Sequence, residues 1–246
     1  PPLVAQLPGI PVAITANGAA VWDSGTDPLG AVYSRYSDAP TFDHEPVLLE
    51  RHCLPPETAR EVFALYREYH GPLSIFSDGR SYLDGTGMAL FQDRHIQRHS
   101  TEARQPDDGR THVVRDLDEW MSRHAHEVEK ILLFFDSIEI AQAALVRFRA
   151  FPGIEAVQGA PDNVEVTAAG VDKGTALLAL ADRLGIPREA TLAIGDSDND
   201  RAMLARAGVA AVMANALPEI RALGDIVSTR DNDHDGVAEL FERLGL

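Results

Sequence analysis

The last third of the chain alternates between short apolar runs and segments with helical periodicity. The apolar, β-prone runs predict strands at 191–194, 209–213 and 225–227. The periodic segments predict helices at 173–184, 199–206, 217–222 and 236–244. Regular alternation of this kind indicates parallel strands joined by crossover helices, which is an α/β fold with a parallel sheet core.

Between residues 45 and 165 the pattern changes to two similar sets of helices and strands. The predicted helices lie at 57–69, from Asp116 onward and at 137–148. The predicted strands lie at 73–76, 88–91, 130–135, 154–157 and 163–166, and Ser77 to Arg80 is typical of a hairpin turn. This pattern suits a separate α+β domain inserted into the core.

The first 44 residues contain one predicted hairpin. A strand at 12–15 is followed by an Asn-Gly turn at Asn17 and Gly18 and by a return strand through Ala20 to Trp22. A proline-containing linker at 40–46 follows. We therefore expect residues 1–44 and 166–246 to form the parallel-sheet core, and residues 45–165 to form the inserted domain.

Three carboxylates follow the predicted strand at 191–194, at the alternating positions Asp196, Asp198 and Asp200. Carboxylates this close repel one another, so the arrangement is tolerable mainly when a hard cation or a cationic side chain lies among them. In open α/β sheets, ligands bind outside the carboxyl ends of the strands, where this loop falls. The alternative is a solvated acidic turn, because Asp and Asn are ordinary turn residues.

Lys173 occupies the first turn of the helix predicted at 173–184. A lysine in this position opposes the helix dipole, so helix stability does not explain it. A phosphate or carboxylate partner would explain it, and the alternative is a side chain that extends into water.

Charge and cysteine content limit the classes of partner. The net charge of −16 would repel a nucleic-acid backbone or an anionic membrane, so we expect no nucleic acid and no membrane among the partners. The single cysteine, Cys53, excludes an internal disulfide and fits a reducing compartment, so we expect a cytoplasmic protein. No apolar run reaches the roughly 18 residues of a membrane span.

Five segments together carry a resemblance to a known family. They are Ile-Thr-Ala-Asn-Gly-Ala at 14–19, Gly-Val-Asp-Lys-Gly at 170–174, Gly-Asp-Ser-Asp-Asn-Asp at 195–200 with Met203 and Leu204, Val-Met-Ala-Asn-Ala at 212–216, and Asp-Gly-Val-Ala at 235–238. In this order and spacing they resemble the haloacid dehalogenase superfamily, specifically its Cof-type (subclass IIB) sugar phosphatases.

The resemblance implies a Mg²⁺-dependent phosphatase with a Rossmann-like core. Such an enzyme hydrolyses a small phosphorylated metabolite, with sugar phosphates the leading class, through an aspartyl-phosphate intermediate. Residues 45–165 would be the cap domain that selects the substrate.

The resemblance also implies roles for individual residues. Asp196 would bind Mg²⁺, and Asn199 would hydrogen-bond the substrate phosphate. Lys173 would neutralise a phosphoryl oxygen. Asp200 would orient Lys173 or complete the shell of residues around the metal ligands. Asn17 and Gly18 would line the site.

One part of the family pattern is not found in the 246 residues. The first motif, Asp-x-Asp-Gly-Thr, supplies the nucleophilic aspartate and the general acid/base, and it should precede Asn17, as should the Ser or Thr of the second motif. The chain begins at Pro1, so we expect the segment that carries both motifs to be absent from it. Asp84-Gly-Thr has Tyr82 in place of the first aspartate and is interpreted as a turn. A non-catalytic remnant of the family is therefore the alternative from another functional class.

Residues 231–242 satisfy the EF-hand sequence pattern, with Asp at positions 1, 3 and 5, Gly at 6 and Glu at 12. An EF-hand also needs a flanking helix pair, and residues 224–229 predict a strand. Calcium binding is therefore a third alternative, beside an acidic helix N-terminus that the helix dipole favours.

Overall fold

The computed structural model describes residues 12–23, 47–99 and 111–246. The chain divides into two compact units, Pro1–Ile131 and Leu132–Leu246, and each is described by itself. The linker predicted at 40–46 lies outside the described residues. The assignment of 45–165 as an inserted domain stays a prediction.

The described part of the first unit contains two groups of strands with helices between them. In chain order its elements are β1 (Val12–Thr15), β2 (Ala20–Asp23), β3 (Val47–Arg51), α1 (Pro56–Tyr66), β4 (Leu73–Ser77), β5 (Arg80–Asp84), α2 (Gly85–His99), β6 (Thr111–Val114) and α3 (Leu117–His124). Strand β2 pairs with β1 and β3, both antiparallel. Strand β5 pairs antiparallel with β4 and parallel with β6.

Both predicted hairpins of this unit are confirmed. Strands β1 and β2 flank the turn at Asn17 and Gly18. Strands β4 and β5 flank Asp78 and Gly79, whose φ angles are 52° and 69°. Two successive residues with positive φ form the turn whose twist matches that of the paired strands, which explains the Asp-Gly sequence.

Two predictions for the stretch 84–91 are wrong. The strand predicted at 88–91 is helical, because the whole of Gly85–His99 forms α2. Asp84-Gly-Thr is the junction between β5 and α2 rather than a turn, and Asp84 Oδ1 accepts a hydrogen bond from Gly87 N at 2.7 Å. A four-residue apolar run fits either element, and the Asp84 side chain, three residues before Gly87, supplies the local capping contact that favours the helix.

Strand β7 (Lys130–Phe134) contains the division between the units. The elements that follow in the second unit are α4 (Ile138–Arg149), β8 (Ile154–Val157), β9 (Asn163–Ala168), α5 (Lys173–Arg183), β10 (Leu192–Gly195), α6 (Arg201–Arg206), β11 (Val209–Val212), α7 (Pro218–Arg221), β12 (Ile226–Val227) and α8 (Gly236–Leu244). Strands β8 and β9 are antiparallel. Strands β10, β11 and β12 lie side by side in this order and are parallel. The predicted α/β class with a parallel-strand sheet is confirmed.

Apolar residues cover both faces of the parallel sheet. On one face Val212 packs with Leu204 of α6 and Ile220 of α7. On the other face Ala211 packs with Leu240 of α8. Burial on both sides is the usual condition of parallel strands, and it leaves the ends of the strands as the accessible part of the sheet.

Candidate active site

The acidic loop begins where strand β10 ends at Gly195. The chain then forms a short turn of 3₁₀ helix at Asp198–Asp200 and continues into α6. The loop therefore lies at the carboxyl end of a parallel strand, the position at which α/β sheets bind ligands.

Lys173 contacts two side chains of this loop. Its Nζ lies 2.6 Å from Asp200 Oδ1 and 3.2 Å from Asn199 Oδ1. Lys173 is the first residue of α5, and Asp172 caps that helix by accepting a hydrogen bond from Thr175 N at 2.7 Å. The ammonium group of Lys173 thus has a carboxylate partner. This agrees with the first of the two explanations for a lysine at a helix start, an anionic partner, and not with a side chain that extends into water.

Asp200 is buried, with 5% of its surface exposed, and both of its oxygens are engaged. Oδ1 accepts from Lys173, and Oδ2 accepts from the backbone N–H groups of Asp196 and Ser197 at 3.0 and 3.1 Å. A Cβ added to Gly195 would lie 2.5 Å from the Asp200 Cβ, so this close packing needs a glycine. Asp200 therefore holds the loop and Lys173 together.

Asp198 points to a different set of partners. Its Oδ2 accepts from Arg149 Nη2 at 2.7 Å and from Gln158 N at 3.2 Å. Its Oδ1 accepts from Arg201 Nε at 3.1 Å. Cationic side chains thus lie among the carboxylates, as predicted, and the alternative of a merely solvated acidic turn is wrong.

Asp196 differs from the other two carboxylates because its hydrogen-bond partners are uncharged. Oδ2 accepts from Asn215 Nδ2 at 2.6 Å, and Oδ1 accepts from Ser197 Oγ at 3.1 Å. Each oxygen keeps lone-pair capacity beyond these bonds. The carboxylate is a hard oxygen donor of the kind that Mg²⁺ takes together with water and substrate phosphate.

The remaining requirement for Mg²⁺ is further oxygen ligands. Across the described ranges no group of three or more His, Cys, Asp or Glu residues is arranged to hold a metal ion. Within these ranges Asp196 therefore offers one carboxylate ligand, and a Mg²⁺ ion at this position would need further oxygen ligands.

Asn199 is fixed at both its backbone and its side chain. Its N–H donates to Gln158 O at 3.0 Å, and its Oδ1 accepts from Lys173. A Cβ on Gly159 would come within 3.0 Å of Asn199 Nδ2, so residue 159 also approaches it closely. The structure thus brings together Lys173, Asn199 and Asp200, with Asp196 in the same loop.

Asn17 and Gly18 lie in the first unit, in the buried turn between β1 and β2. Asn17 has a φ angle of 57°, in the left-handed region that Asn tolerates better than most residues. Their predicted contribution to the site is not tested and stays a prediction.

Sequence reasoning did not identify Asn215, Arg149 or Gln158 as parts of this arrangement. Asn215 lies in one of the segments that carried the family resemblance. The segment could therefore be recognised from the sequence, but the hydrogen bond from Asn215 to Asp196 could not. Nothing in the sequence indicated that Arg149 and Gln158 would reach Asp198, which is 49 and 40 residues away.

The calcium-binding alternative at 231–242 is not supported. Asp231 Oδ1 accepts from Asp233 N and lies 2.5 Å from His234 Nδ1. The hydrogen bond with His234 lowers the pKa of Asp231, and the same bond raises the pKa of His234. The segment before this loop contains strand β12, whereas an EF-hand needs a helix there.

Among the helices in the described ranges, none combines the length and the apolar character that crossing a membrane requires.

A family model of haloacid dehalogenase-like hydrolases matches residues 41–241. The chain belongs to the haloacid dehalogenase-like hydrolases. Phosphatase YwpJ of Bacillus subtilis (strain 168) is 26% identical over 257 residues, which cover 98% of this chain and 90% of that protein.

Two solved structures share the fold. A haloacid dehalogenase-like hydrolase from B. subtilis has a TM-score of 0.72 at 24% identity and covers 95% of this chain and 79% of that one. The subclass IIB sugar phosphatase BT4131 has a TM-score of 0.66 at 19% identity and covers 96% of this chain and 76% of that one.

These similarities confirm the predicted family with its Cof-type branch, the fold class, and an enzyme of the phosphatase group of haloacid dehalogenase-like hydrolases. They give no support to the expectation that a segment with the first two motifs is absent, which stays a prediction.

Proposed function

We propose that this haloacid dehalogenase-like hydrolase is a Mg²⁺-dependent phosphatase that hydrolyses small phosphate monoesters. The observation that carries the proposal is the position of the Lys173 ammonium group, 2.6 Å from Asp200 and 3.2 Å from Asn199 at the end of β10. A fixed cation beside an amide and an acidic residue, at the ligand-binding end of a parallel sheet, suits a phosphoryl group.

Each residue of the site has a role in this proposal. Lys173 places positive charge beside the phosphoryl oxygens and neutralises their negative charge, and Asn199 supplies an amide donor to the same group. Asp200 keeps Lys173 in place through the 2.6 Å contact. Phosphoryl transfer depends on such positioning and charge neutralisation, because the protein takes little part in the covalent chemistry of the loose transition state.

Asp196 would hold the metal ion together with oxygen ligands from the first motif, the substrate and water. When bound, Mg²⁺ supplies positive charge that polarises the phosphoryl group. Asp196 contributes a carboxylate whose direction is fixed by its two hydrogen bonds.

The covalent step uses the first-motif aspartates that the resemblance implies, a motif not found in the 246 residues. The nucleophilic carboxylate attacks phosphorus, the ester bond breaks, and the leaving alkoxide takes a proton from the acid/base aspartate. Water then attacks the aspartyl-phosphate, which releases inorganic phosphate and restores the carboxylate. This route replaces one difficult step by two easier ones.

We propose that the substrate is a sugar phosphate. Other small phosphate esters are the second candidate class. Two observations support a small anionic metabolite. BT4131, which shares the fold, is a sugar phosphatase, and the net charge of −16 disfavours nucleic acid and anionic membranes as partners of this chain. The single cysteine supports a cytoplasmic location.

The test is steady-state hydrolysis of an aryl phosphate by the full-length protein, with Mg²⁺ and with chelator. We expect turnover that requires Mg²⁺ and a fall of roughly 100-fold or more in kcat for Lys173→Met and Asp196→Asn. Asp182→Asn is the matched control, because Asp182 is an exposed carboxylate on the same helix as Lys173.

Absence of turnover by the folded wild-type protein would overturn the proposal in favour of a non-catalytic member of the family. Equal rates with Mg²⁺ and with chelator would overturn the metal dependence alone.

A further inference from the structure

Asp196 is linked through Asn215 to a third segment of the second unit. Asn215 follows strand β11, and its Nδ2 donates to Asp196 Oδ2 at 2.6 Å. The Oδ1 of the same side chain accepts from the backbone N–H of Asn232 at 3.2 Å. One side-chain amide therefore bridges the acidic loop and the loop before α8.

This bridge determines which way the Asn215 amide points. The backbone N–H of Asn232 can only donate, so the oxygen of Asn215 must face it. The amide nitrogen then faces Asp196, where it meets an acceptor. The segment that carries Asn215 is held in turn by the backbone, because Ala214 N donates to Arg230 O at 3.2 Å.

The charge of the loop makes this contact different from the others. Lys173 offsets the charge of Asp200, and Arg149 and Arg201 offset that of Asp198. Asp196 forms hydrogen bonds only with Ser197 and Asn215 in the described structure, and neither is charged. The two hydrogen bonds thus orient the Asp196 carboxylate without neutralising its negative charge. A carboxylate that binds a cation needs both properties.

We propose that Asn215 is the positioning residue that orients Asp196 toward the divalent cation, with the backbone of Asn232 fixing the orientation of the Asn215 amide. The role rests on the proposed function, because it concerns the metal site of that reaction. Hydrogen bonds to a ligating carboxylate hold its orientation, and their loss typically weakens metal binding or activity by about 10- to 100-fold.

The experiment measures Mg²⁺ binding by titration calorimetry in the full-length protein, without substrate. Asn215→Ala and Asn215→Leu both remove the donor, and the leucine keeps a similar side-chain volume. We expect both variants to bind Mg²⁺ roughly 10- to 100-fold more weakly than wild type. Leu217→Ala is the local control, because Leu217 is an exposed residue two positions further along the chain.

A second readout separates positioning from a general loss of structure. The Mg²⁺ concentration for half-maximal aryl phosphate hydrolysis should rise in both Asn215 variants, while kcat at saturating Mg²⁺ recovers toward the wild-type value. The increase in melting temperature on adding Mg²⁺ should shrink in the same variants, with their metal-free melting temperatures close to wild type.

Wild-type affinity in both Asn215 variants would overturn the role of Asn215 and leave the proposed function intact. A lower kcat that saturating Mg²⁺ does not restore would also overturn it, since the loss would then concern the chemical step rather than metal binding. If the wild-type protein does not bind Mg²⁺, the proposed metal dependence fails, and the role of Asn215 fails with it.

Discussion

Each of the three carboxylates in the loop 196–200 has a different kind of partner. Asp200 is buried against Lys173 and two backbone N–H groups, Asp198 is held by two arginines, and Asp196 accepts hydrogen bonds from uncharged donors. Residues of one type, at alternating positions, thus have separate tasks. Asp200 and Asp198 organise the loop, and the proposed function gives Asp196 the task of binding a cation.

Asp200→Asn should destabilise the protein although the two side chains have the same shape. The Lys173 ammonium and two backbone N–H groups can only donate to Asp200, and the Ser197 hydroxyl also lies 3.3 Å from its Oδ2. The amide nitrogen of Asn must therefore face either the ammonium or the two backbone N–H groups. A buried donor without an acceptor costs about 1–3 kcal/mol. Urea unfolding should show a loss of this size together with a fall in aryl phosphate turnover.

The matched control for this prediction is Asp182→Asn, which makes the same change at an exposed position of α5. We expect its stability to stay within roughly 0.5 kcal/mol of wild type. Equal stability of the Asp200 and Asp182 variants would contradict the account of Asp200 as an acceptor from Lys173 and two backbone N–H groups.

Helices α5 and α6 carry the two halves of the site, Lys173 at the start of one and the acidic loop just before the other. Their close approach depends on Gly174, because a Cβ at this position would collide with the backbone carbonyl of Ala202 and lie 2.9 Å from Met203 N. Backbone atoms cannot turn away as a flexible side chain can. The distance between the helices is therefore set by a glycine.

Gly174→Ala should force α5 and α6 apart and cost about 1–3 kcal/mol, although alanine favours helices over glycine. It should also lower kcat, since Lys173 would move relative to Asn199 and Asp200. Chemical denaturation and aryl phosphate kinetics measure the two effects.

Gly85→Ala is the control for the higher helix propensity of alanine compared with glycine. Gly85 begins α2, and a Cβ there would meet nothing within 4 Å. We expect this variant to be as stable as wild type or slightly more stable. If Gly174→Ala were also as stable as wild type, the close contact between α5 and α6 would not require a glycine at this position.

At the scale of the whole molecule, acid stability should depend on one carboxylate of the second unit. Glu239 in α8 accepts hydrogen bonds from Ser228 Oγ at 2.7 Å, from the N–H of Thr229 at 3.0 and 3.1 Å and from Arg230 N at 3.0 Å. The bonds from Ser228, then from Thr229 and from the side chain of Arg243, lower the pKa of Glu239 from 4.5 to about 2. Those from Ser228, Thr229 and Arg230 attach the last helix to the chain that leaves β12.

The sign of the pH dependence follows from this pKa. A carboxylate with a depressed folded-state pKa stabilises the fold above pH 4.5, and this contribution is lost as the pH falls toward about 2. Glu239→Gln should therefore lower the melting temperature at neutral pH, and its difference from wild type should shrink as the pH falls below 4.5.

Glu242→Gln is the control, because Glu242 is exposed on the same helix. Its melting curve should follow that of wild type at every pH. A constant difference between Glu239→Gln and wild type across the acidic range would show that the carboxylate charge at residue 239 does not carry the effect.

The sequence by itself determined the α/β class and most positions of the strands and helices around the parallel sheet. It also contained the segments from which the family was recognised. These features are local: the strands of the parallel sheet are apolar runs between turn residues, and helix 236–244 was predicted with its observed bounds. Lys173 and the acidic loop were recognisable for the same reason, since a lysine at a helix start and closely spaced carboxylates both require partners.

Only the tertiary structure decided which partners these are. Residues far apart in sequence supply them, as Asn215 does for Asp196 and Arg149 for Asp198, and no local pattern encodes such contacts. The strand predicted at 88–91 failed for a different, local reason. A short apolar run fits a helix or a strand, and the Asp84 side chain, which caps the backbone N–H of Gly87 three residues later, is a local signal for a helix start.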